Sequence, residues 1–291
     1  MLKKKIAAAL LGALMFSPTV LPPNYFSPAS VAYAKTKNAE DWYNEGYKLY
    51  KAGNYSEAVK RFKKAVELDP NNAIFWYYLS CGYFELENYD SALDSINKSI
   101  EVDPKDPDAW NRAGRIHWRM KNYNEAAYNF KKATEIDPNY HVAYDNLGDI
   151  YYGLERYDEA IEYYQKAAEI NPKQELYFFH LAQSYYRLGN YDKAIENYKK
   201  VINRDSNSSI VWNNLGMAYS ESGDQTKAIE CFQKAIELDK NNAGAWFNLG
   251  SVCEEIENYQ AAVDAYRKAV ELNPNNEKYQ QNLDRALAKL K

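Results

Sequence analysis

A pattern of small and apolar residues returns every 34 residues from Ala39 to Asn276, seven times over and without an insertion. In residues 141–174 it reads HVAYDNLGDIYYGLERYDEAIEYYQKAAEINPKQ. Numbering that unit from 1, positions 4, 7, 8 and 11 (Tyr144, Leu147, Gly148, Tyr151) share one face at helical spacing, and so do positions 20, 24 and 27 (Ala160, Tyr164, Ala167). A polar connection, Glu155-Arg156-Tyr157-Asp158, separates the two runs. Asn171-Pro172 ends the second, because proline disfavours a helical conformation in the residue before it. One unit is therefore expected to be a helical hairpin. A tandem array of hairpins buries its apolar faces only by stacking, so the chain is expected to form one continuous array in place of several globular domains.

Two positions carry the pattern in every unit. Position 20 is Ala throughout (Ala58, Ala92, Ala126, Ala160, Ala194, Ala228, Ala262), and position 8 is always small (Gly46, Ser80, Gly114, Gly148, Ala182, Gly216, Gly250). Small residues are needed where two helices cross closely, since overpacking there costs ~1–3 kcal/mol. With an aromatic residue at 4, Leu-Gly at 7 and 8, Ala at 20, an aromatic at 24 and Pro at 32, the unit resembles the tetratricopeptide repeat, and the style of its leader is that of a secreted bacterial member. The resemblance implies an all-α, right-handed solenoid with units at 39–72, 73–106, 107–140, 141–174, 175–208, 209–242 and 243–276. Residues 277–291 are expected to be a capping helix, continuing first-helix spacing through Leu283 and Leu287. Glu45 replaces the usual Leu at position 7 of the first unit, which suits an uncovered end. Arg204-Asp205-Ser206 and Lys240 replace the position-32 proline segment of units five and six, and a bend is expected around unit six.

Residues 1–34 carry Lys3, Lys4 and Lys5, an apolar run from Ile6 to Phe16, and Ala32-Tyr33-Ala34, a small-x-small cleavage pattern. They read as a signal peptide cleaved after Ala34, followed by a short leader at 35–38. Export across the cytoplasmic membrane is expected, to the periplasm, the cell envelope or the medium. The apolar run is shorter than the ~20 residues of a membrane span, and an uncleaved anchor is the alternative. Of 36 Lys and Arg and 40 Asp and Glu, the leader removes three lysines, so the mature chain is acidic by about seven charges. That balance disfavours nucleic acid and anionic membrane as partners. Cys81, Cys231 and Cys253 show neither a disulfide framework nor metal-ligand spacing. They read as buried small hydrophobes, although Cys231 and Cys253 fall on neighbouring helices and could pair.

In this family the first helix of each unit lines the concave surface. Positions 5, 9 and 12, flanked by 2, 6 and 13, are then available to a ligand. The candidate groove residues are Tyr43, Asn44, Tyr47 and Tyr50 in unit one and Tyr78 in unit two. Unit three adds Arg112, Arg115, Trp118 and Arg119, and unit four Asn146 and Tyr152. His180, Gln183 and Tyr186 follow in unit five, Asn214 in unit six and Asn248 in unit seven. Tyr, Trp and Arg are the residues that most often dominate interface energetics, although aromatics at 5 and 12 also pack between neighbouring helices. Three arginines on one helical face need either an anionic ligand or acids to answer them, and Asp145 and Asp149 on the next first helix are candidates for that. Asn at position 6 (Asn44, Asn146, Asn214, Asn248) matches relatives that bond the backbone of an extended peptide with an amide ladder. Tyr78, Arg112 and His180 interrupt it. The carboxylate grip used by chaperone-tail binders is not matched, because Tyr43, Tyr47, Tyr78 and Asp108 stand where its basic and amide residues belong.

The three histidines, His117, His141 and His180, lie in different units, and no phosphate loop, zinc spacing or nucleophile elbow is present. No enzyme activity, metal or cofactor is expected. The expected function is a scaffold that binds a protein or peptide segment in its concave groove. The alternative is a carbohydrate or cell-wall binder that uses Tyr43, Tyr47 and Tyr50 as stacking platforms.

Overall fold

A computed structural model describes residues 37–205 and 207–291. The expected signal peptide and most of the leader lie outside the described residues, and the account below concerns Ala39–Lys291.

Seven hairpins follow one another. Their first helices are α1 (Ala39–Lys51), α3 (Ala73–Glu85), α5 (Pro107–Arg119), α7 (His141–Gly153), α9 (Glu175–Arg187), α11 (Ser209–Glu221) and α13 (Ala243–Glu255). The second helices are α2 (Tyr55–Leu68), α4 (Tyr89–Val102), α6 (Tyr123–Ile136), α8 (Tyr157–Ile170), α10 (Tyr191–Ile202), α12 (Gln225–Leu238) and α14 (Tyr259–Leu272). A last helix, α15 (Glu277–Leu290), packs on α14. Each second helix also packs on the next first helix, which makes the array one solenoid.

The crossing inside each hairpin explains the two invariant positions. All seven alanines at position 20 are fully buried. At position 8 the neighbour is the ring at position 24: a Cβ added at Gly216 would meet the Phe232 ring at 2.7 Å, and one at Gly250 the Tyr266 ring at 2.6 Å. Unit two has Ile96 in place of that ring, and there Ser80 fits, donating its hydroxyl to the Ala92 carbonyl at 2.8 Å. The small residue and the ring are thus one packing device.

The turns are as regular as the helices. The residue at position 15 adopts a left-handed conformation in every hairpin, supplied by Gly53, Gly189 and Gly223 but also by Glu87, Lys121, Glu155 and Glu257. It lets the next N–H reach back five residues, as when the Asn54 N–H bonds the Leu49 carbonyl at 2.9 Å. The same Asn54 caps α2 by accepting from the Glu57 N–H, and Asn88, Asn190, Asp224 and Asn258 act likewise. Between repeats, Trp76 and Trp110 donate their indole N–H to the carbonyls of Pro70 and Pro104.

The missing prolines act less than expected. Lys240 presents its carbonyl to the Trp246 indole at 3.1 Å just as the prolines do, so the turn after unit six keeps its form. In unit five, α10 ends at Ile202, and the N–H groups of Arg204 and Asp205 both bond the Val201 carbonyl. Both neighbouring helix pairs still pack like the others. The bend expected around unit six is therefore not a loss of packing.

The two ends are closed differently. Arg61 lies over Trp42 and 3.4 Å from Glu45, so the charge at position 7 of unit one is held by an ion pair. At the other end Glu254, buried on α13, receives both guanidinium arms of Arg285 at 2.7 Å, the Tyr266 hydroxyl at 3.0 Å and Lys289 at 3.4 Å. These bonds hold its carboxyl down at about 2, chiefly through Arg285.

Candidate functional site

Among the described first helices, residues at positions 6, 9, 12 and 13 of successive repeats line common depressions. Tyr152 from α7, Gln183, Tyr186 and Arg187 from α9, and Asn214 and Met217 from α11 enclose about 160 Å³ over Tyr198. A second depression of about 90 Å³ is lined by Phe84 from α3, Arg115, Trp118 and Arg119 from α5, and Asn146 and Asp149 from α7, over Phe130. Each crosses three consecutive first helices. Larger depressions lie elsewhere, about 430 Å³ among α8, α9 and α10 and about 510 Å³ before α11. Charged side chains such as Glu196 and Lys200, paired at 2.7 Å, occupy the rim of the former.

The sixteen candidate residues differ in access. Asn44, Arg115, Trp118 and Arg119 are exposed, Arg112 is buried, and the remaining eleven are half-buried. In the first two units the tyrosines face one another: Tyr43 stacks on Tyr47 at 6.1 Å, and both meet Tyr78 edge-on at 5.4 and 5.2 Å. Tyr50 packs on Tyr55 and donates to Glu85. These rings present edges and hydroxyls more than open faces.

Position 6 does something the sequence did not show. Asn146 donates its amide to the Asn111 side chain at 2.8 Å, and Asn248 donates to Asn213 at 2.9 Å. His180 takes the same place with Asp145 at 2.9 Å. In each case position 6 of one repeat bonds position 5 of the repeat before it, clamping neighbouring first helices. An amide so engaged keeps one N–H and part of its carbonyl capacity for another partner. The 35-residue spacing was visible in the sequence, but the partner at position 5 varies between Asn and Asp, which hid the pairing.

Asp145 and Asp149, the candidate acids for the arginines, bond other residues. Asp149 accepts from the buried Tyr164 hydroxyl at 2.8 Å and lies 3.8 Å from His180. Burial raises the Asp149 carboxyl, and although burial alone would lower the imidazole of His180, the hydrogen bond and charge of Asp145 raise it. Asp145, Asp149 and His180 place their ligand atoms within 4.8 Å of one another, so among the described residues they are the group that could hold a cation. The His180–Asp145 bond already uses the imidazole Nδ1, which a metal would have to displace.

The three arginines gather on one ring. The guanidiniums of Arg112, Arg115 and Arg119 lie 5.3, 5.4 and 5.8 Å from the Phe84 centroid, and Arg112 also lies over Tyr77. No described carboxylate is within 4.0 Å of any of them. The remaining histidines are internal: His141 meets the Tyr177 hydroxyl at 2.6 Å, and His117 has a buried Nδ1 and an imidazole lowered by burial. Cys81, Cys231 and Cys253 are free and buried, and burial pushes the Cys81 thiol up to about 11.

Family models agree with this architecture. A TPR repeat model matches residues 46–79, and a tetratricopeptide repeat model matches 73–106 and 107–140. The chain is a tetratricopeptide-repeat protein. A model of the C-terminal domain of cilia and flagella-associated protein 70 also matches residues 139–273 of this repeat protein. No curated protein matches it in sequence. Among solved structures, the array is similar to the C-terminal part of a TPR repeat-containing protein from Cytophaga hutchinsonii, at 23% identity and TM-score 0.69, over 83% of this chain and 99% of that one. It is also similar to YrrB, described as a TPR protein with an unusual peptide-binding site, at 22% identity and TM-score 0.59, over 65% of this chain and 97% of that one. A tetratricopeptide repeat protein from Parabacteroides merdae matches at 17% identity and TM-score 0.60, over 86% and 98%. These likenesses establish the fold. Among the described residues no helix is long and apolar enough to cross a membrane.

Proposed function

We propose that this tetratricopeptide-repeat protein is an exported scaffold that holds an extended protein segment along its first helices. The fold itself is that of a protein–protein interaction scaffold. Support for the groove comes from one observation above all: two depressions that each cross three consecutive repeats are lined by aromatic residues at position 12, an arginine at 13 and an asparagine at 6. A ligand that spans repeats meets an aromatic, an arginine and an amide in each depression, which suits a polypeptide with its own repeating backbone. Rigid helices hold these side chains in place, so little entropy is lost on docking. Export is proposed from residues 1–34, whose lysines, apolar run and Ala32-Tyr33-Ala34 form a signal peptide.

Selection of a displayed random-peptide library on the purified protein tests the groove. Enriched peptides are expected to lose binding when Gln183 and Tyr186 are both replaced by Ala. Peptides that bind parent and variant alike would place the site elsewhere.

A further inference from the structure

Arg112, Arg115 and Arg119 recur at intervals of three and four on α5, so one helical face carries three cations. All three share the Phe84 ring. The chain is acidic overall, and elsewhere Arg61, Arg156, Arg267 and Arg285 each lie within 4.0 Å of a carboxylate, while Arg187 lies over Tyr157 and Arg204 over Phe178. Here the acids on neighbouring elements are turned to other partners. Glu85 accepts from Tyr50, Asp108 from Tyr140, Asp145 from His180 and Asp149 from Tyr164. Arg112 is 9% exposed and its Nη1 is buried without a hydrogen-bond partner. Like charges gathered with no acid in direct contact repel, although Glu85 acts on Arg115 from a distance and Asp149 lines the adjoining depression, and an unpaired buried donor is costly. An anion received among the arginines relieves that repulsion.

The size and lining of the adjoining depression narrow that anion. The depression of about 90 Å³ is open to solvent and has room for a carboxyl group. Asp149 lines the same space, so a singly charged carboxylate meets less repulsion there than a doubly charged phosphate.

Resting on the groove reading above, we propose that Arg115 and Arg119, backed by the buried Arg112, receive an Asp or Glu side chain of an acidic segment that lies along the first helices. Arg115 and Arg119 are exposed and supply the hydrogen bonds. Arg112 lies buried between Tyr77 and Phe84 and supplies charge from beneath. Trp118, 43% exposed, flanks the site as an apolar wall.

Fluorescence anisotropy with a C-terminally amidated peptide of alternating Glu and Ser, beside its Gln-for-Glu counterpart, tests the proposal on the purified protein. Hydrogen bonds to charged groups are each worth about tenfold or more in binding, so the Glu peptide is expected to bind at least ~10-fold tighter than the Gln peptide. The preference is expected to vanish in Arg115→Gln/Arg119→Gln and to persist in Arg267→Gln, and it should weaken as salt rises. Both substituted arginines are exposed, and an unchanged unfolding midpoint verifies folding. Equal binding of the two peptides, or a preference that survives the double substitution, would overturn the proposal. So would a preference that appears only with a free C-terminal carboxylate, or one abolished by inorganic phosphate at low concentration. Equal binding of the Glu and Gln peptides while library-selected peptides still bind in the groove would leave the groove reading standing while this site fell; loss of groove-dependent binding altogether would remove both.

Discussion

Replacing Glu254 by Gln tests how the C-terminal helix is held. The carboxylate on α13 is 8% exposed and accepts from both Arg285 and Lys289 on α15, while Tyr266 donates to it from α14. Its pKa falls from 4.5 to about 2 on folding. Each pKa unit corresponds to 1.36 kcal/mol, so the clamp is worth up to about 3 kcal/mol, and about 2 when solvent screening of the half-exposed Arg285 is allowed for. Because the folded pKa is depressed, this stability is fully present above pH 4.5 and is lost as pH falls towards 2. Glu254→Gln keeps the shape and removes the charge. Urea unfolding is expected to show the variant about 2 kcal/mol less stable at pH 7, with the difference closing between pH 4.5 and 2. Hydrogen exchange is expected to speed first in α15. A variant as stable as the parent at pH 7, or a constant difference across the acid range, would refute the clamp.

Gly148→Ala sets a methyl group against the Tyr164 ring and is expected to cost about 1–2 kcal/mol in thermal unfolding, the overpacking outweighing the gain in helix propensity. Glu155→Gly relieves a left-handed residue at the α7–α8 turn, and a gain of about 0.5 kcal/mol is expected after the extra freedom of the unfolded chain is subtracted. Asn248→Ala and Asn213→Ala are expected to couple by ~0.5–1.5 kcal/mol in a double-mutant cycle, whereas additivity would dissolve the inter-repeat amide bond. For His180 the folded pKa is raised, so the pair with Asp145 stabilises below pH 6.5 and fades as pH rises through the folded value. An NMR titration should show that pKa falling in Asp145→Asn, and an unchanged midpoint would deny the pairing.

Much of the fold could be read from the chain because the repeat states it seven times. Ala at position 20 and a small residue at position 8 leave room for one crossing geometry, and Asn or Asp at position 16 marks the start of most second helices. The left-handed residue at position 15 was not readable at Glu87, Lys121, Glu155 or Glu257, where a side chain that disfavours that conformation is held there by the Schellman bond and the following helix cap. Lys240 misled for the opposite reason, because the turn uses the residue's carbonyl, which any amino acid supplies. The site was harder. Helical spacing put Arg112, Arg115 and Arg119 on one face, but it could not say that Asp145 and Asp149 would turn to His180 and Tyr164, or that the amides of Asn146 and Asn248 would bond the preceding repeat. Those choices depend on distances between helices that the one-dimensional pattern does not contain.

The central claim is that a polypeptide lies along the first helices. Photo-crosslinking tests it most directly, with benzoylphenylalanine in place of Gln183, which faces the depression shared by α7, α9 and α11, or in place of Gln165, in the depression among α8, α9 and α10. A peptide selected on the parent protein should cross-link from position 183 and not from 165. Cross-linking from 165 alone would contradict the groove and move the site to the other side of the hairpins.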